Sequence, residues 1–180
     1  MNQELEIKLK KYVESDQPIA IYTDNDADSF IFGWVVEMDD NYLLLNDVSS
    51  RFTEDGFTII NTEDIFMFGD EPDYTEKFNI IFALKKQTRR ELTQKTGNPL
   101  IDIFEYAQTE HALVMINNDR NYIGYVTEYT DEVLSLRLYD DCGRFTGNIV
   151  LETASINSVY CMCDRLRDAE LLINMRKEQK

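Results

Sequence analysis

Few side chains here have the types and spacings that do chemistry. Glu37 and Glu128 each follow a glycine by four residues, in Gly33-Trp34-Val35-Val36-Glu37 and Gly124-Tyr125-Val126-Thr127-Glu128. Two carboxylates can run acid–base catalysis when burial separates their pKa values. Placed in two similar segments, they are better explained as copies of one position. Cys161 and Cys163 are spaced to share a strand face, Cys142 lies in a turn, and His111 is the sole histidine. Zinc takes four ligands, usually in paired short spacings, so the cysteines read as small core residues. The run Asp24-Asn25-Asp26-Ala27-Asp28 alternates acids as a calcium loop does. Ser29 and Val35 then stand where such a loop needs glycine and glutamate, so the run reads as an acidic hairpin tip. With no glycine-rich phosphate loop and no nucleophile elbow, no catalytic residue, metal or cofactor is expected.

Binding is the better prospect. Arg51-Phe52-Thr53 returns as Arg144-Phe145-Thr146, in segments rich in turn residues. Loops on a rigid scaffold often carry recognition. Arg51, Phe52, Arg144 and Phe145 are therefore candidate interaction residues, each pair offering a cation and an aromatic anchor. The competing reading is that each phenylalanine closes the fold while a following glycine supplies a positive-φ turn. Asp39, Asp40 and Tyr42, in an acidic turn, complete the candidate set.

Charge sets the class of partner. The 180 residues carry a formal net charge of −16, and between Glu14 and Glu76 Arg51 is the only basic residue. Lys85, Lys86, Arg89, Arg90 and Lys95 then cluster. Such a surface repels nucleic acid and anionic membranes and suits a basic protein partner or self-association. The basic cluster reads as a helix C-terminus facing the negative end of its dipole. No apolar run approaches a membrane span, the first residues have no signal-like core, and an odd cysteine count points to the cytoplasm.

The elements repeat. Corresponding segments are displaced by 91 to 94 residues: Leu43 and Leu45 match Leu134 and Leu136, and Asp64 to Asp70 matches Ser158 to Asp164. This reads as a tandem duplication. Each copy begins with an amphipathic helix, the second started by Asn98 and Pro99. Strand-like runs follow at Pro18 to Thr23, Ser29 to Met38, Tyr42 to Val48, Gly56 to Asn61 and Ile65 to Phe68. Their counterparts are His111 to Asn117, Tyr122 to Tyr129, Val133 to Tyr139, Asn148 to Thr153 and Ser158 to Cys163. A second helix ends each copy, from Tyr74 to about Arg90 and from Asp164 to about Lys177.

A helix followed by five short strands resembles the Sm-like fold. Gly33, Val35 and Asp39, followed by Tyr42-Leu43-Leu44-Leu45, are similar to that family's first motif; the second copy keeps Gly124 and Val126 and has Thr130 for the aspartate. The resemblance implies two tandem five-stranded Sm-like barrels, at residues 1–90 and 98–180, each flanked by helices, in a mainly β, α+β protein. The family's RNA-contacting residues do not carry over. Leu43 stands in place of the turn asparagine, and Asn61-Thr62-Glu63-Asp64 replaces a basic residue and glycine. The expected function is thus a non-catalytic interaction or scaffold module, with Sm-like RNA binding at Lys85 to Lys95 as the alternative.

Overall fold

Period-two runs separated by short turns form strands here, as their residue types dictate. The computed structural model describes residues 3–13, 15–23, 29–92 and 94–178. The chain divides into two compact units, Met1–Pro99 and Leu100–Lys180. The first comprises α1 (Gln3–Val13), β1 (Ile19–Thr23), β2 (Ile31–Met38), β3 (Tyr42–Val48), β4 (Glu54–Asn61), β5 (Ile65–Gly69) and α2 (Pro72–Leu84). The second begins with α3 (Pro99–Thr109). It continues through β6 (Leu113–Asn117), β7 (Asn121–Tyr129), β8 (Val133–Tyr139), β9 (Phe145–Glu152), β10 (Ser158–Cys161) and α4 (Asp164–Glu178).

Two closed barrels do not form. Within each unit the five strands make an open antiparallel sheet, in the order β5-β1-β2-β3-β4 in the first and β10-β6-β7-β8-β9 in the second. Closing a unit on itself would require its outermost strands to pair, and among the described residues no ladder joins β4 to β5 or β9 to β10. The expectation of tandem Sm-like barrels is overturned by these open sheets. Alternating runs and short turns specify antiparallel neighbours, and they are the same in a meander that closes and one that does not.

Packing explains why an open sheet is stable in the first unit. On one face Leu9 of α1 packs with Ile19, Ile21, Val35, Leu43 and Leu45. On the other, Phe78 of α2 packs with Ala20, Tyr22, Phe32, Trp34 and Val48. A barrel hides one strand face inside itself; here a helix covers each face instead, so β2 and β3 are buried on both. In the second unit Leu166, Ala169 and Ile173 of α4 cover Leu113, Met115, Ile123 and Tyr125.

One internal detail is built alike in both units. A Cβ on Gly33 would lie 2.2 Å from the Asn46 carbonyl oxygen, and one on Gly124 would lie 2.5 Å from that of Arg137. Only glycine permits so close an approach. Just beyond, the strand register shifts between Val35 and Glu37, and again between Val126 and Glu128. These bulges bend the strand at matching places.

Candidate functional site

The repeated Arg-Phe-Thr segments do not occupy equivalent positions. In the first unit the Ser49 amide donates to the Thr53 carbonyl (2.9 Å), and Phe52 donates back to Ser49 (2.8 Å). In the second, Asp140 donates to Arg144 (2.9 Å) and Gly143 donates to Asp140 (2.9 Å). Phe52 therefore matches Gly143, and both have positive φ, 57° and 72°. Phe145 begins β9, opposite Tyr139, where the first unit pairs Glu54 with Val48. The motifs are two residues out of register.

Their phenylalanines differ accordingly. Phe52 is 6% exposed, packed 5.1 Å from the Tyr74 ring, whereas Phe145 is 53% exposed beneath the Arg137 guanidinium, 5.0 Å away. The Arg51 carbonyl accepts a hydrogen bond from Lys85 Nζ. Arg144 is exposed, its Nε 4.0 Å from Asp140. Phe52 therefore packs into the core of the first unit, and the left-handed residue of its turn is Phe52 itself.

Asp39, Asp40 and Tyr42 build a turn. Asp39 Oδ1 accepts from the amides of Asn41 (2.8 Å) and Tyr42 (2.7 Å), and the Asp40 carbonyl accepts from Thr62 Oγ1 (2.9 Å). Tyr42 is buried, and that burial raises its pKa, with Asp39 adding to the effect. In the second unit Thr130 Oγ1 plays the part of Asp39, accepting from Glu132 and Val133.

Of the basic cluster only Lys85 and Lys86 lie at a helix C-terminus; Arg89, Arg90 and Lys95 lie beyond it. Helix α2 stops at Leu84, closed by Lys86 with φ of 54°, and the following residues run as a strap along the first unit. Arg90 donates two hydrogen bonds to Glu54, from Nε (2.8 Å) and Nη2 (3.0 Å). Its backbone amide donates to Asn46 Oδ1 (2.9 Å), and Asn46 Nδ2 donates to the Gly56 carbonyl (2.8 Å). Arg89 lies 5.7 Å from the Trp34 ring, and Lys95 Nζ donates to the Val36 carbonyl (3.0 Å). Gly97 donates to Glu37 (2.8 Å). These cations tie down their own chain, through an ion pair buried enough to hold shape.

Sequence reasoning missed a groove of the first unit that gathers carboxylates, aromatic rings and hydroxyls. About 450 Å³ in volume, it is lined by Ser29, Phe30, Phe32, Asp47, Asp55 and Tyr74, together with backbone and hydroxyls of the 48–50 turn. Asp47 Oδ2 accepts from Thr58 Oγ1 (3.0 Å) and Oδ1 from the Val48 amide (2.7 Å). Burial nevertheless pushes its pKa up to about 7; Asp55 and Glu54 add to the rise, while the two hydrogen bonds oppose it. The Tyr74 ring packs edge-on to Phe30 and Phe32, with centroids 5.0 and 4.8 Å away. The only available signal was Asn46-Asp47, a polar pair ending an apolar strand. The second unit has Leu138 at the position of Asp47, since Gly33 pairs with Asp47 and Gly124 with Leu138.

The remaining chemical candidates are dispersed. Glu37 is buried and Glu128 exposed. Strand β10 ends at Cys161, which is buried; Met162 turns left-handed (φ 61°), leaving Cys163 partly buried and Cys142 exposed. His111 ends α3 with φ of 54° and stacks on Tyr125 at 5.1 Å. Among the described residues no group of three or more His, Cys, Asp or Glu could hold a metal ion. The Asp24 to Asp28 run lies outside the described residues. Among those residues no helix is long and apolar enough to cross a membrane. Comparison with protein-family models, curated proteins and solved structures finds no match, so the Sm-like resemblance gains no support there.

Proposed function

We propose that the protein is a non-catalytic interaction module whose first unit receives a basic segment of a protein partner. The observation that carries this reading is the groove in which Asp47 and Asp55 stand among Phe30, Phe32 and Tyr74. Carboxylates beside aromatic faces favour cations, and the acidic first unit steers them in by long-range attraction. Phosphate-rich ligands are disfavoured by the same charges. The basic side chains of the 85–95 segment, the main resource for RNA binding, include Arg90, Lys85 and Lys95, all engaged with their own unit.

The test is calorimetric titration of the full chain with a short lysine-rich peptide, at low and at physiological salt. Saturable binding that weakens with salt is expected, while oligo-U gives no retarded band. Failure of the peptide to bind even at low salt would remove the reading.

A further inference from the structure

The groove's composition says more about its ligand than that it is basic. Its described lining holds two carboxylates, three aromatic rings and several hydroxyls, but no lysine or arginine. The groups acting on Asp47 are Asp55 and Glu54 from β4, which repel its negative charge, and the Thr58 hydroxyl and Val48 amide, which hydrogen-bond to it. Helix α2 contributes Tyr74, whose own pKa is raised by burial and by Asp47. Lys77 of that helix lies instead over the Phe52 ring, 5.4 Å from its centroid. In the β3–β4 turn, Arg51 presents its carbonyl to Lys85. No cation is among the groups that shift Asp47.

We infer that this groove takes a single primary alkylammonium group, of the kind that ends a lysine side chain, with its methylenes against Phe30 and Tyr74 and its nitrogen on Asp47 and Asp55. This rests on the reading of the first unit as an acceptor of basic segments. Three N–H donors match two carboxylates and a neighbouring hydroxyl, and the ring faces attract the charge. Each carboxylate oxygen of Asp47 accepts one hydrogen bond and has a second lone pair to offer. The ammonium supplies a counter-charge to Asp47, where the described charged groups acting on it, Asp55 and Glu54, are both acidic.

Cation binding is then linked to the Asp47 proton. Below about pH 7 the ligand must displace that proton into solvent; above it the carboxylate is already ionised. Affinity therefore rises by about 10-fold between about pH 6 and about pH 8. Unlike simple surface attraction, this predicts a counted proton.

The experiment titrates the full chain with Nα-acetyl-lysine methylamide, using the norleucine analogue as uncharged control. Amide shifts in the NMR spectrum should localise to Phe30, Val48 and Asp55 for the lysine compound alone. Calorimetry in two buffers of different ionisation enthalpy should give nearly one proton released at about pH 6 and almost none at about pH 8.5. Asp47→Asn should weaken binding about 10-fold or more at about pH 8 and flatten its pH dependence. Asp55→Asn should weaken binding but keep the pH dependence. If Asp47→Asn fails to fold, shift mapping and the proton count on the unaltered chain decide. Absence of saturable shifts at millimolar ligand, or shifts equal to those of norleucine, overturns the proposal. If a lysine-rich peptide binds untouched by Asp47→Asn and the small amide does not bind, the groove assignment falls and the acidic module stands. If the small amide binds and no peptide does, the groove stands and the broader reading falls.

Discussion

The turn between the third and fourth strands is built twice on one backbone plan, with Phe52 in its left-handed position in one unit and Gly143 in the other. The ring makes the turn of the first unit an anchor: Phe52 joins Tyr74 and Phe78 in an aromatic core that includes Phe32 and Trp34. The second unit has glycine in that turn, and its Phe145 starts a strand in the open. The same divergence runs deeper. Where the first unit has Asp47, Thr58 and Glu54, the strand registers of the second put Leu138, Ile149 and Phe145. Similar turns and strand registers thus accompany a polar, groove-bearing unit and a plainer one, and the two differ in the side chains those registers carry.

The largest expected effect tests what the units share. Gly33→Ala and Gly124→Ala each drive a Cβ into a backbone carbonyl that cannot step aside. Each should cost about 3–5 kcal/mol by urea unfolding. A small effect at either glycine would break the claim that the two bends are equivalent.

The strap should matter nearly as much, and only to the first unit. Arg90→Leu leaves Glu54 charged and nearly buried, at about 3 kcal/mol. Adding Glu54→Leu should recover most of that loss in a double-mutant cycle. If the double variant is no better than the single one, the ion pair is not the source of the cost.

The aromatic contrast comes next. Phe52→Ala should lose about 2–3 kcal/mol, because it also removes ring contacts from Tyr74, while Phe145→Ala should lose less than about 1 kcal/mol. Equal losses would contradict the offset between the two Arg-Phe-Thr segments.

The smallest effect concerns Asp47. Its folded pKa lies above that of an unfolded aspartate, so its contribution to stability is complete below about pH 4 and is lost as pH rises through about 7. Asp47→Asn keeps the shape and should leave stability near neutral at low pH while gaining about 2 kcal/mol at about pH 8.5. Melting curves across this range should show a flatter profile in the variant. A slope of unchanged size would place the titrating group elsewhere.

Local order was legible because it is written in neighbouring residues. Strands β3 and β8 fall at the bounds their alternation predicts, Tyr42–Val48 and Val133–Tyr139. Pro99 starts α3 as its fixed φ requires. The end of α2 was not legible: the pattern of Phe78, Ile81, Phe82 and Leu84 points to a helix from Tyr74 to about Arg90, but Lys86 takes the left-handed position and the chain leaves to bind Asn46 and Glu54. Partners that far along the chain leave no periodic trace. The candidate residues fared the same way. Asp39 Oδ1 accepts from amides two and three residues on, and Tyr42, the first residue of β3, turns inward.

By itself the sequence determined the elements, their antiparallel succession, the two glycines that permit a bent strand and the acidity of the first unit, since each follows from side-chain type and short-range spacing. Tertiary structure alone decided that each sheet stays open, that Phe52 and Phe145 part company, and that Asp47 meets Phe30, Tyr74 and Asp55. Whether outer strands pair, and what a carboxylate faces once water is excluded, depends on residues far apart in the chain and on which helix covers which face.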